Sequence, residues 1–217
     1  MNDPKTTDVW KKAMSNEMGR LAQGNIHGAK YTDTIEFVPK HSIRTGRDIT
    51  YANFVLDYRL LKSEPNRVRL TVGGGKLSYD DYPGSPVASL LETKIMLNSV
   101  ISDAAKGARF ISLNLKDLFL ATPMARTEYM RIYSKHFPQD IKNKYNIQHP
   151  NLIADDDYVY FKIKKGMHGL TQAAILAYQN LVRILSQHGY RPVPHALSIW
   201  RMKHVLSAFA YVWMTLR

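Results

Sequence analysis

The stretch Arg109–Met124, R-F-I-S-L-N-L-K-D-L-F-L-A-T-P-M, constrains the possible folds more than any other part of the chain. Ile111, Leu113 and Leu115 fall on one face of an extended segment, and Phe110, Ser112 and Asn114 on the other. A strand that is apolar on one side and carries small polar groups on the other suits the floor of a cleft, with Asn114 pointing into it. The strand is expected to run into a turn before Met124.

The rest of the chain can supply a core around such a strand. It has 217 residues, 45% of them hydrophobic, enough for one core and by length about a domain and a half. No apolar run reaches about 18 residues, and the start M-N-D-P-K-T-T-D lacks the basic and apolar regions of a signal peptide. An intracellular, soluble chain with no membrane partner is expected, in cytoplasm or nucleus without distinction. The absence of cysteine excludes disulfides, thiolate metal sites and a cysteine nucleophile. The eight histidines show no H-x-x-x-H or H-E-x-x-H spacing. A net charge of +12 favours a polyanionic partner, nucleic acid first and acidic proteins as a rival. The basic stretches Lys40–Arg47, Arg67–Arg69 and Lys162–Lys165 are the expected points of contact.

Trp10, Ala13, Met14, Glu17, Met18 and Leu21 follow helical spacing, with Thr7 and Asp8 as the capping signal and Gly24 and Gly28 as the stop. Thr34–Val38 and Ile49–Tyr58 read as strands around the basic loop Lys40–Arg47. In R-V-R-L-T-V-G-G, Arg67 and Arg69 share one face of a strand whose glycine-rich end permits close backbone approach, so that a phosphate could meet both guanidiniums. Tyr79–Pro86 reads as a loop. Ser85 or Ser89 caps a helix whose Leu90, Leu91, Met96, Leu97, Val100 and Ile101 are expected in the core. Beyond Met124, a strand at Glu128–Tyr133 precedes a polar insertion with helical potential around Ile141–Tyr145. Asp155, Asp156 and Asp157 read as a solvated loop, since neighbouring carboxylates on an extended chain point to alternate faces. Tyr158–Ile163 is a strand, Gln172–His188 a helix closed by Gly189, and Ser198–Arg201 with Val205–Met214 a final hairpin.

Four of these stretches carry a family resemblance. Asn114 with Lys116, Asp117, Phe119 and Leu120 resembles the first catalytic motif of copia-type retrotransposon reverse transcriptases, with Asn114 where the family has an aspartate. R-L-T-V-G-G resembles the family's fingers strand. K-K-G-M-H-G-L-T-Q-A is similar to its K-G-M-Y-G-L-K-Q-A turn, with His168 in place of tyrosine and Thr171 in place of lysine. Phe209-Ala210-Tyr211-Val212 resembles the strand that leads to the family's V-D-D turn, but Trp213, Met214 and Thr215 follow it.

The resemblance implies an α+β chain, part of a right-hand polymerase fold, with fingers, an incomplete palm, and an antiparallel palm sheet with packed helices. It divides the chain into a helix and fingers-like region at 1–108 and a palm-like region at 109–217, truncated at the catalytic hairpin and carrying a fingers-type insertion near 137–157. The implied function is RNA-directed DNA polymerase, a transposable-element activity, on an RNA or DNA primer-template with little sequence preference. The implied contacts to nucleotide or nucleic acid are Arg67, Arg69, Lys116, Gly169 and Gln172. The family holds Mg²⁺ through carboxylates, the hard oxygen ligands that ion prefers. Here the positions are Asn114, Met214 and Thr215, so no cofactor is expected and the chain reads as a degenerate fragment without catalysis. Asp117 could replace Asn114 only if the backbone turns there, because an odd offset on a strand puts it on the opposite face. The alternative is a basic nucleic-acid-binding remnant that is not an enzyme.

Overall fold

A computed structural model describes residues 4–23, 30–109, 115–194, 196–202 and 208–210. The organising strand at 110–114, the helix stop at Gly24 and Gly28, and Met214 and Thr215 lie outside the described residues. The chain is mixed α+β and divides into two compact units, each drawn from two stretches of sequence: Met1–Tyr82 with Asp117–Ala173, and Pro83–Lys116 with Ala174–Arg217.

The first unit is built on a five-stranded sheet in the order β1-β5-β4-β2-β3. Its strands are β1 (Ile35–Val38), β2 (Ile49–Tyr58), β3 (Asn66–Val72), β4 (Pro123–Tyr133) and β5 (Tyr158–Lys165). Antiparallel pairing joins β1 to β5, β5 to β4 and β2 to β3. Only β2 and β4 run parallel, and only over Ile49–Tyr51 against Tyr129–Arg131, so this sheet is mixed rather than antiparallel throughout.

Period-two alternation gives the sheet one dry face. Val68, Leu70, Met130, Ile132, Phe161 and Ile163 are buried on it, together with Met18 and Leu21 of α1 (Pro4–Leu21) and Ile141 of α3 (Gln139–Lys144). The 137–157 insertion is less polar in effect than its composition suggests, since Phe137, Ile141 and Ile147 are all buried. Ser15 Oγ donates to Asp140 Oδ1 at 2.7 Å, which ties α1 to α3. α1 begins earlier than its capping signal: Pro4, with φ already set for a first helical position, places Thr7 and Asp8 inside the helix.

The second unit contains α2 (Leu90–Ser102), most of α4 (Ala173–Gln187) and the antiparallel sheet β6 (Tyr190–Val193), β7 (Ala196–Met202) and β8 (Ala208–Ala210). Ser89 closes a capping box on α2, accepting from Glu92 N–H while the Glu92 carboxylate accepts from Ser89 N–H. Those bonds and the Ser198 hydroxyl hold the Glu92 carboxyl below its ordinary value. The expected core role of α2 is not observed. None of its side chains is buried, and Leu90, Leu91, Ile95 and Ile101 are all more than half exposed. α4 buries Ala177, Tyr178 and Leu181, and the Tyr178 ring lies edge-on to that of buried Trp200 at 6.1 Å.

Candidate functional site

Two of the motif stretches meet through bare backbone. Val72 N–H, at the end of β3, donates to the His168 carbonyl at 2.8 Å. Gly169, with φ +96°, sits so close that a Cβ there would lie 2.1 Å from the Val72 carbonyl oxygen, and a Cβ on Gly74 would lie 2.1 Å from the Gly169 oxygen. Neither position has room for a side chain. The third stretch joins them at Gly166, where a Cβ would approach the Phe119 carbonyl at 2.8 Å. The Phe119 ring meets His168 edge-on at 5.4 Å.

Around this junction the charges are unevenly matched. Arg67 and Arg69 lie on the same, non-core face of β3, as their spacing predicts. Burial, then Arg69 and Arg59, push the Arg67 guanidinium below its ordinary value. Burial also lowers His168, and Arg69, Arg20 and Arg67 add to the shift while Asp117 opposes it. Arg69 Nε is buried with no hydrogen-bond partner among the described residues, and so is Oε1 of Gln172, a side chain only 3% exposed.

Arg20, by contrast, is fully engaged. It donates to Glu17 Oε2 through Nε and Nη2, at 3.1 and 2.8 Å, and to Asp117 Oδ1 through Nη1 at 2.8 Å. Glu17 Oε1 in turn accepts from Leu70 N–H on the outer edge of β3 at 3.2 Å. This buried carboxylate therefore covers a sheet edge and anchors an arginine at once. Helical spacing marks Glu17 as inward-facing, but no local signal names Leu70, 53 residues away, as its partner.

The backbone does turn at Asp117, which has φ +54°, and the turn delivers its carboxylate to Arg20. Lys116 is exposed and belongs to the second unit. The other basic stretches are largely spent within the protein. Lys40 pairs with Asp156 at 3.0 Å; Arg47 donates to the Thr127 carbonyl and reaches Glu128 at 3.3 Å. Lys164 pairs with Asp33 at 2.6 Å, and Lys165 donates to the Thr32 carbonyl. Asp156 is accordingly not a freely solvated carboxylate: it also accepts from the Tyr160 hydroxyl at 2.6 Å and lies below its ordinary value, since these bonds outweigh its partial burial.

Among the described residues, no group of three or more histidine or acidic side chains is gathered closely enough to hold a metal ion, and no helix is long and apolar enough to cross a membrane. By donor chemistry alone, asparagine, methionine and threonine at positions 114, 214 and 215 are not the carboxylate ligands that Mg²⁺ prefers. The chain matches no known family, curated protein or solved structure. The reading of the site therefore rests on its own geometry and chemistry.

Proposed function

We propose that the chain is a copia-type reverse-transcriptase domain by descent, with fingers and part of a palm, that binds nucleic acid and has lost nucleotidyl transfer. The observation that carries this reading is the convergence of Val72–Gly74, Phe119 and Gly166–Gln172, with Arg67 and Arg69 beside them. The convergence joins sequence stretches that the resemblance singles out separately. A bound phosphate would relieve the like-charge crowding of Arg67 and supply Arg69 Nε with an acceptor. The net charge of +12 supports a polyanionic partner in the same way.

Two measurements test the proposal. In fluorescence anisotropy, affinity for a primer-template falls by about tenfold or more between about 50 and 200 mM salt, and Arg69→Ala weakens binding more than Arg109→Ala does. No binding at low salt overturns the reading, and equal losses from the two variants point to a diffuse basic surface. In primer extension with Mg²⁺ or Mn²⁺, the natural chain and Asn114→Asp both stay at background, because one restored carboxylate cannot hold two divalent ions. Extension by the natural chain overturns the loss of activity. Extension only after Met214→Asp and Thr215→Asp are added supports the motif placement.

A further inference from the structure

The face of the five-stranded sheet opposite its core is tiled with tyrosines and cations. Strand register places Arg69 of β3 opposite Val55 of β2, Tyr51 of β2 beside Arg131 of β4, and Arg131 opposite Tyr160 of β5. The flanking positions on the same face are Tyr129 and Tyr133 on β4, with Lys162 and Tyr158 opposite them on β5. Alternation of burial along β4 separates these residues from buried Glu128, Met130 and Ile132.

Cations stand over several of the rings. The Arg131 guanidinium carbon lies 4.4 Å from the centre of the Tyr158 ring, Lys135 Nζ 4.5 Å from Tyr133, and Lys76 Nζ 5.1 Å from Tyr51. Tyr133 and Tyr158 are themselves 5.4 Å apart. Tyr51 is 43% exposed and is held over Gly73, where a Cβ would lie 2.5 Å from its ring. Of the acids on this face, Asp156 is taken up by Lys40, Arg131 and the Tyr160 hydroxyl, while Glu36 stands opposite Lys162 and Asp57 opposite Arg67.

We infer that this face is a stacking platform for single-stranded nucleic acid, continuous across the sheet with the Arg67 and Arg69 edge. The inference rests on the nucleic-acid-binding reading above and adds to it the class of strand and the mode of recognition. The exposed ring of Tyr51 and the half-buried rings of Tyr129, Tyr133 and Tyr158 offer π-surface that accepts any base, Tyr160 being itself buried, while interleaved cations neutralise the phosphates between them. Positions i and i+2 on a strand are about 6.6 Å apart, roughly twice the axial step of about 3.4 Å per nucleotide in one strand of a duplex. Bases meeting this face are therefore splayed from one another, which a duplex does not allow.

The test compares a labelled oligothymidylate with an abasic strand of equal length, which has the same phosphates but no bases, by anisotropy on the full chain. The natural chain binds the base-bearing strand more tightly. Tyr51→Leu and Tyr158→Leu each weaken that binding by about five- to hundredfold and leave the abasic strand nearly unaffected. Tyr158→Phe keeps the preference because it keeps the ring, which separates stacking from damage to the fold. Arg69→Ala weakens both strands alike. Equal affinity of the natural chain for the two strands, or Leu variants that retain the preference, overturns the platform while leaving electrostatic binding in place. Failure to bind either strand at low salt overturns the nucleic-acid reading, and the platform with it.

Discussion

At His168, local electrostatics make a pH dependence that can be measured. Burial and the neighbouring arginines favour the neutral imidazole in the folded state, so its pKa lies below the ordinary 6.5 that the unfolded chain keeps. Its contribution to stability is therefore complete above about pH 6.5 and is lost as the pH falls through the folded value, where the unfolded state binds the extra proton first. His168→Phe, which preserves the ring beside Phe119 and removes the titration, should lose less stability than the natural chain between pH 7.5 and 5.5 in urea denaturation. A parallel decline in both proteins would place the acid sensitivity elsewhere. The chemistry of His168 could not be read from its place in the motif, because the arginines that perturb it lie about 100 and 150 residues away in sequence. Asp117 was half legible: the need for a backbone turn followed from strand alternation, but its partner Arg20 did not.

Among the elements, those with strong alternation were readable almost to the residue. β2 spans Ile49–Tyr58, the segment its β-branched and aromatic residues mark, and β3 places its two arginines together as period two requires. α2 was readable as a helix and misread as core. An apolar pattern states what a segment would gain by burial, and it cannot state whether any neighbour covers it. The glycine-rich ends of β3 and of the turn before α4 were visible as permissive backbone, but their mutual contact was not. That contact makes a sharp contrast among substitutions. Gly169→Ala combines a left-handed φ with a methyl group driven into the Val72 backbone and should cost about 3 kcal/mol or more. Gly75→Ala, with open space and no left-handed requirement, should lie within about 0.5 kcal/mol of the natural chain. Equal denaturation midpoints for the two variants would mean that the backbone contact is absent in solution.

Across the whole molecule, stability should follow burial. The first unit contains the fully buried Met130, Phe161, Ile163, Met18 and Ile35, whereas α2 in the second buries none of its side chains. Native-state hydrogen exchange should therefore find the amides of β4 and β5 the slowest and those of α2 among the fastest of any regular element. Protection of α2 equal to that of β5 would show that something covers its apolar face in solution. Charge sorts differently from burial: most cations of the expected basic loops are paired internally, and the crowded, partly orphaned ones gather at β3.

The parallel join between β2 and β4 also sets an order of events during synthesis. Ile49–Tyr51 and Tyr129–Arg131 are about 80 residues apart in sequence, and closing that span is rewarded by three strand-paired residues and the contacts of Arg47 with Thr127 and Glu128. At about 5 to 20 residues per second, a ribosome delivers the second partner roughly 4 to 16 seconds after the first. For that interval the nascent β2–β3 hairpin lacks β4 along β2 and lacks the His168 carbonyl at Val72 N–H on β3, with Leu60 and Leu61 exposed at its tip. Until β4 emerges, the unpaired N–H and C=O groups of β2 are open to pairing with another chain.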